Sequence, residues 1–326
     1  MIRRSPVLAA ALGGLAGPLV ARAQGAFPAR RVTIVVPFPA GGGLDLLTRA
    51  IAEYLQGTWG QPVVVENRPG GSTIPGADAV VRAAPDGRTL LLTADNTITS
   101  NPHLFRTLPH DPLRDLAPVT HLVDVHQMVV VHAELDARDM AGLVAAARAR
   151  PGQLNYGSFG PGSQPHLAFE VLKAEHRLDI VHITYRGLPQ VIPALLANEI
   201  QMTLSGIASA GQHIVSGGRL RGLAVGRPAR FPTLPEVPTL AEAGFGDMDP
   251  RTWFGLFAPA ATPPAIVSQI QREVAAALRA PAIAERHLTP NGYTVHGSEP
   301  AAFAAFIRED LAYKERMIRL SGARVE

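Results

Sequence analysis

The stretch from Thr33 to Asp45 reads TIVVPFPAGGGLD: an apolar run, a proline-rich turn, three glycines and then the start of an amphipathic segment. The apolar run predicts a buried strand, and the 3–4 spacing of Leu44, Leu47 and Ile51 predicts a helix that ends near Gly57. A strand that leads through a loop into a helix is typical of an α/β protein.

The glycine loop in this stretch is suited to bind an anion. A helix that begins there leaves backbone N–H groups without intrahelical partners and carries the positive end of the helix dipole. Glycines let an anion approach those amides and permit the positive φ values that a nest of amides requires. We therefore predict ligand contacts at Ala40, Gly41, Gly42 and Gly43, with a ligand-free turn as the alternative. Asp45 is interpreted as a structural carboxylate that caps loop amides.

A second glycine loop, NYGSFGPGS at residues 155–163, follows a short predicted strand and precedes a helical run from Gln164 to Lys173. Two such loops in one chain suggest one ligand held from two sides. From this side we predict ligand contacts at Ser158, Gly162, Ser163 and His166. Capping of the helix is the alternative for Ser163 and His166.

Four further polar residues are candidates because they follow or end predicted strands, where ligands of open α/β sheets lie. Tyr185 and Arg186 end one strand, and Arg186 is either a bidentate clamp for a carboxylate or a solvated side chain. Asn96 and Ser205 follow two other strands and are predicted to line a cleft.

The N-terminus has the pattern of a signal peptide at residues 1–23. Two arginines precede an uncharged run from Val7 to Val20, and a small-x-small pattern ends at Ala23. This run is shorter than the roughly 20 residues of a membrane span, so we expect cleavage before Gln24 and export to the periplasm.

Charge and composition exclude several classes of protein. Residues 1–23 contain three arginines and no acidic residue, so without them the chain has equal numbers of basic and acidic residues. This balance argues against nucleic acid as a partner. The chain has no cysteine, and its histidines lack metal-binding spacing. We expect a monomer without cofactor or metal.

Strand-like and helical segments alternate along the rest of the chain, which predicts two α/β lobes. We place the outward crossing near Asp124 and the return crossing in the strand-like segment 253–259. Lobe 1 then comprises residues 24–123 and 256–326, and lobe 2 comprises residues 124–255. Helical segments after residue 260 are expected to pack back on lobe 1.

The chain resembles the Bug family of extracytoplasmic substrate-binding proteins of tripartite tricarboxylate transporters. The resemblance rests on an ordered set of motifs: VPFPAGGGLD (36–45), VENRPG (65–70), APDG (84–87), NP (101–102), DPLRDLAPV (111–119), GPGS (160–163), HL (166–167), YRG (185–187), LAV (223–225), PEVPT (235–239), EAG (242–244) and WFGL (253–256). It implies a type II periplasmic-binding-protein fold that closes on a small carboxylate and delivers it to membrane subunits. Gln201 and Ser205 stand where the family commonly has acidic residues, and Ser205 argues against an amino-acid ligand.

Two other functions remain open from the sequence. A sensor would present the same closed form to a membrane signalling protein, and no motif separates it from a transport receptor. The other function is that of a hydrolase that uses Ser163 and His166, but no Gly-x-Ser-x-Gly motif surrounds Ser158 or Ser163. We predict a binding protein and no enzyme.

Overall fold

The computed structural model describes residues 27–215, 218–246, 248, 250 and 252–323. The predicted signal peptide, residues 1–23, lies outside the described residues. The strands are β1 Val32–Val36, β2 Val63–Asn67, β3 Thr89–Ala94, β4 Leu116–Val125, β5 Gln127–His132, β6 Asn155–Ser158, β7 Val181–Thr184, β8 Met202–Gly206, β9 Leu220–Val225, β10 Thr252–Pro259 and β11 Thr294–Val295.

The helices are α1 Gly43–Trp59, α2 Ile74–Val81, α3 Asn101–Leu104, α4 Pro112–Asp115, α5 Met140–Ala149, α6 Gln164–His176, α7 Leu188–Leu196, α8 Ile207–Val215, α9 Pro264–Arg279, α10 Pro281–Ile283 and α11 Pro300–Ser321. A 3-10 turn covers Gly71–Thr73, and π-helical turns cover Asn96–Ser100 and Ala284–Leu288. No helix in the described ranges combines the length and the apolar character needed to cross a bilayer.

Two sheets with the same internal arrangement form the two lobes. The first has the order β2-β1-β3-β10-β4-β11, and the second has the order β7-β6-β8-β5-β9. In each sheet three strands run parallel, and an antiparallel strand separates the third from the next, namely β10 in the first sheet and β5 in the second. The fold is therefore the predicted two-lobed α/β architecture.

The chain crosses between the sheets twice. Only His126 separates β4 of the first sheet from β5 of the second, and residues 226–251 lead back from β9 to β10. The boundaries predicted at 123/124 and 255/256 both fall inside strands of the first sheet. We propose a division at His126 and between β9 and β10, which leaves each sheet whole.

Each sheet is covered on both faces by apolar side chains. Helix α1 buries Leu44, Leu47, Ile51 and Leu55 against the first sheet, as their spacing predicts. The helix continues past Gly57 and ends at Trp59, because Gly60 rather than Gly57 adopts the left-handed conformation (φ 61°).

The last helix, α11, packs on the first lobe as predicted, and it also contacts the second lobe. Its Ile318 lies in one apolar cluster with Leu104 of α3 and Leu167 of α6. This helix therefore connects the two lobes at one side of the space between them.

Candidate functional site

A cavity of about 120 Å³ lies between the lobes. The N-terminal ends of α1, α6, α7 and α8 meet there, because each helix follows the carboxyl end of a strand that points into the space between the sheets. The cavity is lined by Phe38, Pro39, Gly42, Gly43, Leu44, Asp45, Ala94, Asp95, Asn96, Val125, Gln127, Phe159, Ser163, Gln164, Gly187, Leu188, Pro189, Leu204, Ser205, Gly206, Ser209, Thr252, Phe254, Asn291 and Tyr293.

The first glycine loop presents the start of α1 to this cavity. Gly42 is the N-cap residue, and no side chain caps the helix there. Gly42 and Gly43 line the cavity, whereas Ala40 and Gly41 are exposed and lie outside the lining. The amides of the first turn of α1 are thus directed at the cavity without a competing capping side chain.

Asp45 binds a loop amide, as its interpretation as a capping carboxylate predicts, and it also lines the cavity. It accepts hydrogen bonds from the Gly41 amide (2.9 Å), Arg49 Nε (3.0 Å) and Asn67 Nδ2 (2.9 Å). Burial alone would raise the pKa of Asp45, but these donors outweigh it and hold the pKa below its ordinary value. The carboxylate is therefore charged and already satisfied by protein donors.

Of the second glycine loop, Phe159 and Ser163 line the cavity. The Ser163 hydroxyl donates to the Gly160 carbonyl (2.6 Å) rather than capping α6. The Gly162 amide donates to Nδ1 of His166 (3.1 Å), and Gly162 packs on Leu104 of the first lobe. Gly162 and His166 are thus used to hold the loop, and neither lines the cavity.

Within this loop, Ser158 is completely buried. Its hydroxyl lies 2.6 Å from Nε2 of His182, whose ring is in contact with that of His166. Burial first, and His182 second, lower the pKa of His166 to about 4. Ser163 and His166 bond to different groups, and the Ser158–His182 pair does not line the cavity, so neither pair has the arrangement of a nucleophile with its base at a substrate site.

The remaining four candidates also divide into residues that line the cavity and residues that do not. Asn96 and Ser205 line the cavity at the ends of β3 and β8. Arg186 is exposed, and the ring of Tyr185 packs against the core of the second lobe. Ligand contact stays a prediction for all twelve residues, of which Gly42, Gly43, Asn96, Ser163 and Ser205 line the cavity.

Sequence reasoning missed Tyr293 and Gln127. A methyl group built on Gly43 would lie 2.6 Å from the Tyr293 hydroxyl, so this hydroxyl sits directly beside the start of α1. Burial raises the pKa of Tyr293 and keeps its hydroxyl protonated as a donor. Oε1 of Gln127 is buried without a hydrogen-bond partner among the described residues. Neither residue belongs to a local motif that could have indicated it.

The cavity lining includes no Lys or Arg among the described residues, and its two acids, Asp45 and Asp95, are each paired with a basic side chain. Asp95 accepts hydrogen bonds from Thr252 and from the fully buried Lys314 (2.5 Å), whose Nζ also lies 2.6 Å from Oε1 of Gln164. Burial opposes the charge of Lys314, but the Asp95 and Asp310 carboxylates outweigh it and raise the Lys314 pKa. An anion in the cavity must therefore be held by N–H and O–H dipoles.

No cluster of potential metal ligands lies at this cavity within the described ranges. Among the described residues, one such cluster lies elsewhere. It consists of His121 and Asp124 on β4 and His296 just after β11, and none of the three lines the cavity.

Comparison with known proteins gives consistent matches over most of the chain. Residues 47–322 match the family described as "Tripartite tricarboxylate transporter family receptor". The "UPF0065 protein in tcbD-tcbE intergenic region" of Pseudomonas sp. (strain P51) is 35% identical over 294 residues, 90% of this chain and 87% of its own. "Protein BugT" of Bordetella pertussis is 32% identical over 317 residues, 97% of this chain and 96% of its own.

Solved structures support the same fold. "R. palustris Rpa4515 with adipate" matches with a TM-score of 0.85 and 30% identity, over 92% of this chain and all of that one. "MatC (Rpa3494) from Rhodopseudomonas palustris with bound malate" matches with a TM-score of 0.83 and 28% identity, over 90% of this chain and all of that one. "Structure of periplasmic binding protein BugD" matches with a TM-score of 0.84 and 27% identity, over 92% of this chain and all of that one.

Proposed function

The chain belongs to the tripartite tricarboxylate transporter family of receptors, and on this premise we propose that it captures a small carboxylate in the interlobe cavity and delivers it to the membrane subunits of a transporter. The family consists of receptors rather than enzymes. We further propose that residues 1–23 direct export to the periplasm and are removed, since structural relatives are described as periplasmic.

One observation carries the proposal: two helix N-termini from opposite lobes, both without a capping side chain, line the same cavity. These are the start of α1 at Gly42 and Gly43, and the start of α6 at Ser163 and Gln164. Free first-turn amides and the positive dipole end favour a carboxylate at such a position. Helix α6 offers fewer amides than α1, because Pro165 has no N–H and the Ser163 amide donates to the Gly160 carbonyl.

The lining also suggests the character of the ligand. Phe38, Leu44, Phe254, Leu188 and Leu204 supply apolar walls that suit a hydrocarbon body. Without a lining Lys or Arg, each further negative charge needs its own set of dipolar donors, so we favour a mono- or dicarboxylate over a tricarboxylate. Adipate and malate, the ligands of two structural relatives, are both dicarboxylates.

In this mechanism, closure of the two lobes around the ligand is the signal to the membrane subunits. Contacts already run across the space between the lobes, where Gly187 packs on Pro39 and Lys314 reaches Gln164. A ligand that bridges both helix N-termini adds further contacts and stabilises the closed form, which the membrane subunits then recognise.

A pair of substitutions at Gly42 tests this function. Its φ of −76° accommodates any residue, and Asp or Asn both cap helices well, so both variants should fold. A carboxylate about 5 Å from the ligand at an effective dielectric of about 20 opposes binding by roughly 3 kcal/mol, or about 100-fold in affinity.

We would titrate residues 24–326 calorimetrically with adipate, malate, citrate and benzoate. We expect saturable binding of at least one mono- or dicarboxylate, weakened about 100-fold by Gly42→Asp and much less by Gly42→Asn. Equal affinity of the two variants would refute binding at α1, and absence of binding to every acid by ligand-free protein would refute the carboxylate function.

A further inference from the structure

The interlobe cavity is lined by side-chain amide groups that lack hydrogen-bond partners. Asn96 lines it at the end of β3 and is only 7% exposed, and neither Oδ1 nor Nδ2 of this residue has a partner among the described residues. Oε1 of Gln127, which also lines the cavity, is buried and lacks a partner in the described part of the chain. Buried polar groups without partners are costly and rare, so a ligand that bonds to them gains affinity.

A third amide oxygen without a donor belongs to Asn291, which lines the same cavity just after the π-helical turn at Ala284–Leu288. Its Nδ2 donates to the His287 carbonyl (2.7 Å). That bond fixes the orientation of the amide, and no described residue donates to its Oδ1. Amide oxygens only accept hydrogen bonds, and so does an ionised carboxylate. A ligand with no polar group besides carboxylates therefore offers these three oxygens no donor.

An uncharged group of the ligand is the donor that suits this cavity best. Asp45 pairs with Arg49 at 3.0 Å, and Asp95 pairs with Lys314 at 2.5 Å. These are the two acids of the lining, so no carboxylate there is free to balance an ammonium group of the ligand. Burying a charge without a free counter-charge costs far more than burying a hydroxyl group. A hydroxyl group can donate to the oxygen of a carboxamide or accept from its nitrogen.

Asn96 lies beside the loop that precedes α1. Strands β1 and β3 are adjacent and parallel, with Ile34 opposite Leu90. The segments that follow their carboxyl ends, 37–42 and 95–96, are therefore neighbours at the same edge of the sheet. Neighbouring strands are about 4.8 Å apart. A ligand whose carboxylate sits at the start of α1 can thus reach Asn96 with a hydroxyl group on the second or third carbon of its chain.

We propose that the ligand is a 2- or 3-hydroxy carboxylate and that Asn96 determines this specificity by bonding to the hydroxyl group. The inference rests on the proposed function, which supplies the carboxylate at the start of α1. Gln127 and Asn291 accept hydrogen bonds from a second hydroxyl group or from a water molecule held against the ligand. Specificity then depends on the pairing of buried amides and not on a charged side chain.

Calorimetric titration of residues 24–326 with sets of acids that differ in one substituent tests the proposal. The sets are malate, aspartate and succinate; lactate, alanine and propionate; and 3-hydroxybutyrate, 3-aminobutyrate and butyrate. In the set that fits the cavity, we expect the hydroxy acid to bind at least about 10-fold more tightly than both of its analogues, because each analogue leaves a buried amide unpaired. A hydroxy acid that binds no more tightly than its analogues in every set would overturn the proposal.

Asn96→Leu removes the amide and keeps the approximate size of the side chain. In this variant we expect the advantage of the hydroxy acid to fall to about 2-fold or less, while the affinity for the unsubstituted acid stays the same. A merely structural role of Asn96 would lower both affinities together. Asn155→Leu, on β6 and outside the cavity lining, is the matched control and should keep the full advantage. Asn96→Ala gives the same comparison if the leucine variant does not fold.

The outcomes separate this inference from the proposed function. Binding of unsubstituted acids alone, such as adipate or benzoate, would leave the carboxylate receptor intact and refute the role of the hydroxyl group. A full advantage of the hydroxy acid in a folded Asn96 variant would refute the assignment to Asn96. Absence of binding to every acid by ligand-free protein would refute the proposed function and this inference with it.

Discussion

The two glycine loops look alike in sequence, yet the structure uses them differently. The loop before α1 has Gly42 and Gly43 at the cavity, and Asp45, which also lines the cavity, accepts a hydrogen bond from the Gly41 amide. The loop before α6 turns Gly162 against the first lobe and uses its amide for His166. The first loop thus presents two glycines to a ligand, whereas the second presents Phe159 and Ser163 and otherwise forms a contact between the lobes.

This difference shows what a glycine-rich helix start does and does not indicate. The pattern predicts the end of a strand and the beginning of a helix, because both depend on local backbone freedom. How each loop packs beside the cavity depends on residues elsewhere in the chain, such as Leu104 against Gly162. Four sets of substitutions separate the two loops experimentally.

The largest effect is expected for Lys314→Met, which removes a polar link between the start of α6 and the first lobe. Lys314 is fully buried and bonds to Asp95 and Gln164. Leaving one partner of a buried ion pair without the other costs about 3–5 kcal/mol in the free energy of unfolding, measured with urea. Adding Asp95→Asn should recover most of that loss, and a double variant no more stable than Lys314→Met would contradict the pairing.

Alanine at Gly162 and at Gly41 compares the loops directly. Both glycines have positive φ, 76° and 85°, so alanine costs each about 1–2 kcal/mol in backbone strain. At Gly162 the added carbon would lie 2.1 Å from Cδ1 of the buried Leu104, whereas Gly41 has nothing within 4 Å. Overpacking therefore brings the expected loss for Gly162→Ala to about 2–4 kcal/mol. Equal urea unfolding free energies for the two variants would show that the contact between Gly162 and Leu104 is absent in solution.

The titratable groups at the two loops should also affect the free energy of unfolding over different pH ranges. The His166 pKa of about 4 lies below its ordinary value of 6.5, so between these values the unfolded chain binds more protons. Stability then falls as the pH is lowered from 6.5 to 4, by roughly 2–3 kcal/mol for this residue. Asp45, whose pKa is also lowered, loses its contribution only below about 3.8.

Unfolding titrations at several pH values distinguish these contributions. His166→Gln should reduce the loss of stability between pH 6.5 and 4 but not abolish it. Burial also lowers the pKa of His182, so His182 still contributes to this loss in the variant. Asp45→Asn should leave that range unchanged and act only at lower pH. An unchanged slope in His166→Gln would mean that its ring is not buried as a neutral group.

The sequence predicted the parts of the fold that depend on local pattern. Helices α1, α9 and α11 each bury one face, so their 3–4 spacing was readable, and Asn96 and Ser205 line the cavity because strand ends meet at one edge. Tyr293 was missed because only the pairing of the two-residue strand β11 with β4 brings it to the cavity. The buried Lys314 was missed because its partners are supplied by β3 and α6.

The smallest effect is expected for Tyr293→Phe, which tests the first loop alone. The Tyr293 hydroxyl lies beside Gly43, where we propose that a ligand carboxylate sits, and the phenyl ring of the variant would keep the cavity wall. Loss of one hydrogen bond should weaken carboxylate binding by about 1–1.5 kcal/mol, roughly 5- to 12-fold in calorimetry. Tyr54→Phe, on α1 and outside the cavity lining, is the control and should bind normally. If both variants bind equally well, the carboxylate does not contact this hydroxyl, and the amides of α1 hold it without help from β11.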